Sequence, residues 1–167
     1  MRFSILAAAT ALVSSVFAAD HTVVVGNGTN TFEPNNVKAA VGDTVTFKFW
    51  PKNHSVAQAT FAKPCEPMNN GFWSGYIPST AKAASETFMY TVTNASAPIW
   101  FYCTQASHCQ SGMVGVINGP TSGNTIEKFA TAAKNATKNV TPTSTAGSGG
   151  KLATNGSSSA TTPSDTS

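Results

Sequence analysis

Residues 103–113 read Cys103-Thr104-Gln105-Ala106-Ser107-His108-Cys109-Gln110-Ser111-Gly112-Met113, and the placement of their cysteines and histidine is the main evidence in the sequence. Two apolar runs flank it, residues 99–102 before and residues 113–117 after, and both have the composition of buried β-strands. The Cys-x4-His-x4-Met spacing therefore places a thiolate, an imidazole and a thioether on one tight loop between two strands. Such donors, brought close together, indicate a metal site.

A second imidazole must come from elsewhere, and His54 follows a predicted strand that ends at Trp50. Two histidines and a cysteine in a plane, with a long axial methionine, form the ligand set of a blue-copper site. The sequence therefore predicts one copper ion, and its metal ligands are His54, Cys103, His108 and Met113.

Two alternatives to this ligand set stay open. The amide oxygens of Gln105 and Gln110 are competing axial donors in place of the Met113 sulfur. The third histidine, His21, would bind copper in an N-terminal histidine brace only as the first residue of the mature chain, because a brace needs the free amine on the histidine itself. Cleavage after Asp20 fits the predicted signal peptide, residues 1–18, poorly.

The chain has three cysteines, an odd number that needs explanation in an oxidising compartment. If Cys103 is a metal thiolate, Cys65 and Cys109 remain and can form a disulfide. That bond would close a loop of about 45 residues and stabilise the fold by roughly 4 kcal/mol. The alternative pairing of Cys65 with Cys103 leaves Cys109 free and removes the metal site. In a third interpretation, the chain has a structural disulfide, an odd thiol and no metal.

The region from about residue 20 to 118 has the pattern of one all-β domain. Short alternating or apolar runs are separated by Gly, Pro and Asn clusters, which is typical of an antiparallel sandwich or barrel. The predicted strands lie at 21–25, 44–50, 87–92, 99–102 and 113–117. Residues 65–85 are predicted to be largely irregular.

The two ends of the chain differ from the middle. Arg2, an apolar stretch and small residues before Ala18 predict a signal peptide over 1–18, too short to span a bilayer. A domain over 19–118 follows, then a linker over 119–140 in which Ile126, Phe129 and Ala133 have the spacing of a short helix. Residues 141–167 are almost entirely Ser, Thr, Gly, Ala and Pro, which predicts a disordered tail. The chain shows no transmembrane segment and no hydrophobic glycolipid-anchor tail, so we expect a secreted, extracellular protein.

The charge balance and the glycosylation sequons limit the kinds of binding partner that we expect. Five lysines balance five acidic residues between 20 and 118, and Arg2 is the only arginine, so the domain lacks the basic surface that nucleic acid requires. In a secreted chain we expect N-glycans at some Asn-x-Ser/Thr sites, and a glycosylated tail is a candidate contact for cell-wall polysaccharide. Asn53 is excluded because a glycan there would block His54. The candidate sites are Asn27, Asn94, Asn135, Asn139 and Asn155.

The segments 41–45, 51–56 and 100–114 resemble the extracellular cupredoxins of filamentous fungi, which are related to plant phytocyanins. This resemblance implies a Greek-key β-sandwich, one type 1 copper and a disulfide beside the second ligand histidine. By position it makes His54, Cys103 and His108 the strong ligands and Met113 the axial one. Relatives have Met or Gln axially, and Met implies the higher reduction potential.

The expected function is outer-sphere electron transfer with an unidentified redox protein or small-molecule donor or acceptor. We expect electrons to leave the copper through His108. Reduction of oxygen needs a further His-rich cluster, so we do not expect an enzyme. The alternative is a copper-sequestering or cell-wall binding protein.

The backbone N–H of Ser55 is a candidate donor to the Cys103 sulfur. Some of the aromatic residues near His54 are expected to form a docking rim, and these residues are Phe49, Trp50, Phe72, Trp73 and Tyr76.

Overall fold

The computed structural model describes residues 17–154, which form two packed β-sheets, a two-stranded ribbon and one helix. The predicted signal peptide lies outside the described residues except for Phe17 and Ala18, which are exposed and have no regular structure. The elements in chain order are β1 Asp20–Val25, β2 Phe32–Glu33, β3 Asn36–Val37, β4 Thr44–Phe49, β5 Lys52–His54, β6 Ala57–Ala59, β7 Ile77–Ser79, β8 Glu86–Thr91, β9 Ile99–Tyr102, β10 Val114–Ile117, α1 Ile126–Lys134 and β11 Lys151–Thr154.

The first sheet has the strand order β11-β8-β4-β1-β2 and the second has the order β3-β10-β9-β6, while β5 and β7 form the ribbon. The all-β sandwich predicted from the alternating runs is confirmed, and β1, β4, β8, β9 and β10 lie where the sequence predicts strands. The parallel pairs β1–β4 and β3–β10 depart from a purely antiparallel arrangement. They show that the chain crosses between the sheets rather than only forming hairpins.

The space between the sheets is filled mainly by phenylalanine. Phe47 from the first sheet meets Phe101 from the second edge-on at 5.3 Å, and Phe32 meets the same ring at 5.0 Å. Edge-to-face rings at this distance stabilise a core beyond the area that they bury. This core extends to the loop end of β9, because buried Cys103 belongs to the same cluster.

Strand β9 is buried on both faces, which explains its uninterrupted apolar sequence. Ile99 and Phe101 point into the sandwich, whereas Trp100 and Tyr102 belong to a second cluster on the outer face. Helix α1 covers that outer face, and Phe129 contacts Trp100 at 4.7 Å between ring centroids. The helix predicted from the spacing of its three apolar residues is therefore confirmed, and those residues are Ile126, Phe129 and Ala133.

Residues 151–154, within the predicted tail, form strand β11 rather than disordered chain. Strand β11 pairs with β8 at the edge of the first sheet, and Leu152 packs on the inner core. Before it, Trp73 donates its backbone N–H to Ser148 O at 2.8 Å, and Gly147 donates back to Trp73 O at 2.8 Å. The ladder of main-chain hydrogen bonds compensates for the few apolar side chains. Residues 155–167 lie outside the described residues.

Within residues 17–154, no helix has the length and apolar character needed to cross a membrane. Residues 65–85, predicted to be irregular, contain β7, which pairs with the strand that carries His54.

Candidate metal centre

Residues 103–113, called the ligand loop from here on, connect two neighbouring antiparallel strands, β9 and β10. The loop is closed by two backbone hydrogen bonds, from Cys103 N to Met113 O at 3.1 Å and from Met113 N to His108 O at 3.0 Å. Inside it, His108 N donates to Gln105 O at 2.8 Å. Side chains alternate along β9, so Cys103 follows Ile99 and Phe101 on the inner face and its sulfur lies at the end of the core.

His54 reaches the same point from the ribbon. It ends β5, pairs with Ile77 of β7 and is 1% exposed. Gly26, the residue after β1, lies against its ring, and a Cβ on Gly26 would be 2.1 Å from Nε2. Gly26 also has a φ of +74°, so glycine is needed there both for its conformation and for the close approach.

The structure brings His54, Cys103 and His108 together, as the sequence predicts. One donor atom from each lies within 4.8 Å of the others. Cys103 Sγ lies 3.5 Å from His108 Nδ1, and the two imidazole centroids are 5.1 Å apart. Within residues 17–154, this is the one group of three or more His, Cys, Asp or Glu side chains with such spacing.

The donor set and its surroundings fit a metal ion. Both ring nitrogens of His54 are buried and have no hydrogen-bond partner. A buried polar atom without a partner costs free energy, and a metal bond to one of these nitrogens would remove part of that cost. The two histidines and one cysteine supply the mixed imidazole and thiolate donors that suit copper.

Burial favours the neutral form of all three groups. Burial, together with the neighbouring His108, lowers the pKa of His54 to about 4. The pKa of His108 is also lowered, chiefly by burial and then by the charge of Lys52. Burial raises the pKa of the Cys103 thiol, so that metal binding has to displace its proton.

Ser55 opposes the rise in the pKa of Cys103. Nearby polar groups of the Gln105 and Ser55 backbone, and the Ser55 side chain, all lower the thiol pKa. The donation from the Ser55 backbone N–H to the Cys103 sulfur remains a prediction. Ser55 Oγ, which the sequence prediction missed, lies 3.8 Å from Cys103 Sγ and accepts a hydrogen bond from Thr104 N at 3.0 Å. The side chain therefore joins the strand that carries His54 to the loop that carries Cys103.

Met113 is fully buried, and its carbonyl oxygen accepts the hydrogen bond from Cys103 N that closes the ligand loop. Its axial role remains a prediction. Of the two competing donors, Gln105 Oε1 accepts a hydrogen bond from Asn53 Nδ2 at 3.0 Å, whereas Gln110 Oε1 is buried without a partner. Met113 and Gln110 therefore remain the two candidates for the axial ligand.

The disulfide joins Cys65 to Cys109, next to His108, and Cys103 is a buried free thiol. The alternative pairing of Cys65 with Cys103 is therefore excluded, and Cys103 stays available as a metal ligand. The bond fastens the middle of the ligand loop to a segment 44 residues earlier in the chain.

His21 takes no part in this site. It lies at the start of β1, and its Nε2 is 2.9 Å from Asp43 Oδ2. The other end of β1 leads to Gly26, so His21 and His54 lie at opposite ends of the sandwich.

Three of the five aromatic residues predicted near the site are buried core residues, namely Phe49, Phe72 and Trp73. Trp50 is half-buried and, with Lys52 and Gly26, lines a cavity of about 300 Å³ that reaches His54. Tyr76 is 40% exposed, and its hydroxyl donates to Thr104 O at 3.4 Å. Trp50 and Tyr76 are therefore the members of the predicted rim that reach the surface.

Comparison with known proteins agrees with this geometry. Residues 19–118 match the family of copper binding proteins described as the plastocyanin/azurin family. The chain belongs to this family. The cofactor of this cupredoxin domain is accordingly a single copper ion, for which the His54–Cys103–His108 group is suited.

Two fungal relatives come from Arthroderma benhamiae. The chain is 43% identical over 114 residues to a probable GPI-anchored cupredoxin-1, covering 68% of this chain and 58% of the relative. It is 35% identical over 140 residues to an extracellular serine-rich protein, covering 83% of this chain and 54% of the relative. The chain thus spans little more than half the length of these relatives.

Among solved structures, reduced auracyanin from the photosynthetic bacterium Roseiflexus castenholzii is similar with a TM-score of 0.42 at 16% identity, covering 60% of this chain and 95% of auracyanin. The family assignment does not depend on it.

Proposed function

We propose that the protein is a secreted one-electron carrier with a blue-copper centre. The observation that carries the proposal is the unequal exposure of the three convergent donors. His54 and Cys103 are fully buried, whereas His108 is half-buried and lies on the loop. Of the three donors, only His108 is partly exposed, so its edge offers a partner a short approach to the centre. Bound copper supplies a one-electron exchange between Cu(II) and Cu(I).

The frame around the donors supports this use. Imidazole suits Cu(II) and thiolate suits Cu(I), so a site with both kinds of donor fits both oxidation states. The disulfide and the closing hydrogen bonds from Cys103 N and Met113 N hold the loop ligands before a metal arrives. A pre-organised frame means little rearrangement when the charge changes. We also propose Met113 as the axial ligand, because the hydrogen bonds that close the loop hold it in place before a metal binds.

The surface beside the centre favours a partner of negative charge. Lys52 lies close enough for its charge to lower the pKa of both His54 and His108. We propose a protein or small molecule with an acidic contact surface as electron donor or acceptor, docking near Trp50 and Tyr76. Electrostatic steering of this kind acts mainly on the association rate.

Secretion is supported by two independent facts. The Cys65–Cys109 disulfide belongs in an oxidising compartment, and the relatives bear names that describe them as extracellular or GPI-anchored. Asn27, Asn94 and Asn135 are exposed and remain candidate glycan sites, whereas Asn155 lies outside the described residues. Attachment to cell-wall polysaccharide through the tail also remains a proposal.

The test is to add Cu(II) to the apo-protein and record visible absorption and EPR spectra, then measure electron self-exchange by NMR line broadening. An intense thiolate-to-copper band with narrow copper hyperfine splitting and fast self-exchange is the expected result. A blue protein with slow self-exchange would favour copper sequestration or a wall-binding role. A weak, ordinary Cu(II) spectrum would reject the blue-copper centre itself.

A further inference from the structure

Residues 135–154, called the strap, lie beyond the domain that matches the family and return to the ligand loop. Tyr102 Oη donates to Val140 O at 2.6 Å, and Val140 N donates to Cys65 O at 2.9 Å. Tyr76 Oη and Thr141 Oγ1 are 2.7 Å apart. These contacts fix the strap beside the disulfide and beside the residue that precedes Cys103.

Asn139 is the strap residue that touches the ligand loop directly. Its Nδ2 donates to Cys103 O at 3.0 Å and to Ala106 O at 2.9 Å. Both carbonyls belong to the half of the loop that separates Cys103 from His108. One side chain therefore spans the segment that sets the spacing of the thiolate and the imidazole.

The Ala106 contact stabilises a strained position. Ala106 has a φ of 41°, in the left-handed region that alanine rarely adopts. A residue held there costs free energy and persists only where its surroundings impose it. A hydrogen bond to its own carbonyl, given by a group fixed outside the loop, is such a constraint.

Asparagine suits this place for a chemical reason. Its amide nitrogen carries two protons, so one atom can serve two carbonyl groups, which neither aspartate nor alanine can do. Asn139 also begins a sequon, and the nitrogen that would carry a glycan is the one that donates to the loop. A glycosylated amide keeps only one N–H, so a glycan at Asn139 is incompatible with both hydrogen bonds at once.

We propose that Asn139 is a positioning residue of the copper centre, which fixes the Cys103 carbonyl and the Ala106 turn and thereby the spacing of Cys103 and His108. The inference deepens the proposed function and rests on it only in taking Cys103 and His108 as copper ligands. It assigns a role in the metal site to a segment outside the matched domain.

The test compares Asn139→Ala with Asn135→Ala in the full-length protein, made in a bacterial periplasm, where the disulfide forms without N-glycans. Asn135 is a matched control because it also begins a sequon, is exposed, and donates through Nδ2 only to Thr131 O of its own helix. The readouts are amide hydrogen exchange of the ligand loop in the apo-protein, the visible and EPR spectra with copper, and the rate of copper loss to a chelator.

In Asn139→Ala we expect the exchange of the His108 and Ser111 amides and the rate of copper loss to rise about tenfold, because two hydrogen bonds are lost. We also expect the thiolate-to-copper band to shift. Asn135→Ala should match the wild type in all three readouts.

Equal loop exchange in the two variants would overturn the inference, whether or not copper binds. Lower thermal stability of Asn139→Ala with an unchanged spectrum and unchanged copper loss would also overturn it, since the strap would then be only structural. If Asn139→Ala does not fold, Asn139→Ser is measured by the same criteria. A wild-type protein without a blue spectrum would reject the proposed function, while the exchange data would still test the contact itself.

Discussion

His54 and the ligand loop supply donors to one centre, but they are held in different ways. His54 lies on a paired strand, is almost fully buried and packs against the backbone of Gly26. The ligand loop has no strand pairing of its own between Cys103 and Met113, and His108 is half-buried. It is fixed from outside by the Cys65–Cys109 disulfide and by Asn139. The histidine on the ribbon thus depends on packing, whereas the loop donors depend on cross-links.

The largest expected effect comes from removing the cross-link. We expect Cys65→Ala with Cys109→Ala to lower the free energy of unfolding by about 4 kcal/mol, because the unfolded chain is no longer constrained. Urea denaturation of the apo-protein measures the loss. Cys103→Ser is the control: it keeps the disulfide and should leave apo-protein stability within about 1 kcal/mol of the wild type, while abolishing the blue band. A double variant as stable as the wild type would show that the disulfide does not stabilise the ligand loop.

A substitution at Gly26 tests whether packing holds His54 in place. We expect Gly26→Ala to cost about 2 kcal/mol through its positive φ and through a Cβ that would meet the His54 ring. The visible spectrum should change as His54 is displaced. Gly28→Ala is a matched control, because Gly28 has a φ of +77° but nothing lies within 4 Å of its would-be Cβ. Equal changes in the two spectra would mean that Gly26 does not position His54.

The axial ligand affects the electronics more than the stability. We expect Met113→Gln to lower the reduction potential, measured by protein-film voltammetry, because an amide oxygen favours Cu(II) more than a thioether does. Gln110→Leu removes the other buried candidate and should leave the potential unchanged. A potential that moves with Gln110 and not with Met113 would transfer the axial role to Gln110.

The smallest expected effect lies at the far end of the sandwich. Hydrogen bonds from His21 and from the backbone of Ala19 and Ala40 lower the pKa of Asp43 from 3.8 to about 2. Because the folded-state pKa is the lower one, the stability it contributes is present above about pH 4 and is lost as the pH falls toward 2. Thermal melts of apo-protein between pH 5 and 2 should show a shallow decline that is weaker in Asp43→Asn. Identical pH dependence of the two proteins would contradict this. The copper spectrum of Asp43→Asn at neutral pH should be unchanged.

Much of the fold and the site could be predicted because the signals are local. The alternation of Val45, Phe47 and Phe49 specifies a strand with one inner face, and the Cys-x4-His-x4-Met spacing fits one loop. His54 is predicted because a site of this type needs a second imidazole. The disulfide follows from the sequence only if Cys103 is a ligand, and the structure confirms the Cys65–Cys109 pairing.

The strap was not predictable by the same reasoning. Its composition lacks the apolar residues that usually show burial, but its glycines allow close packing. A Cβ on Gly149 would lie 2.8 Å from the Phe72 Cα, and a Cβ on Gly150 would lie 2.4 Å from the Phe88 ring. Small residues and edge pairing thus take the place of hydrophobic side chains. A sequon is a local pattern, so the sequence can mark Asn139 as a candidate glycan site, whereas its two carbonyl partners are more than 30 residues away.

The direction in which the chain leaves the domain has a consequence for orientation. Thr154 pairs with Glu86 at the end of β8 that adjoins Phe49, and Phe49 leads into the ribbon that carries His54. The start of β1 lies at the other end, beside Thr44. A tether that continues from Thr154 would therefore begin at the metal-bearing pole of the molecule. A surface that holds this protein through a short segment after Thr154 would then lie on the same side as the candidate metal centre.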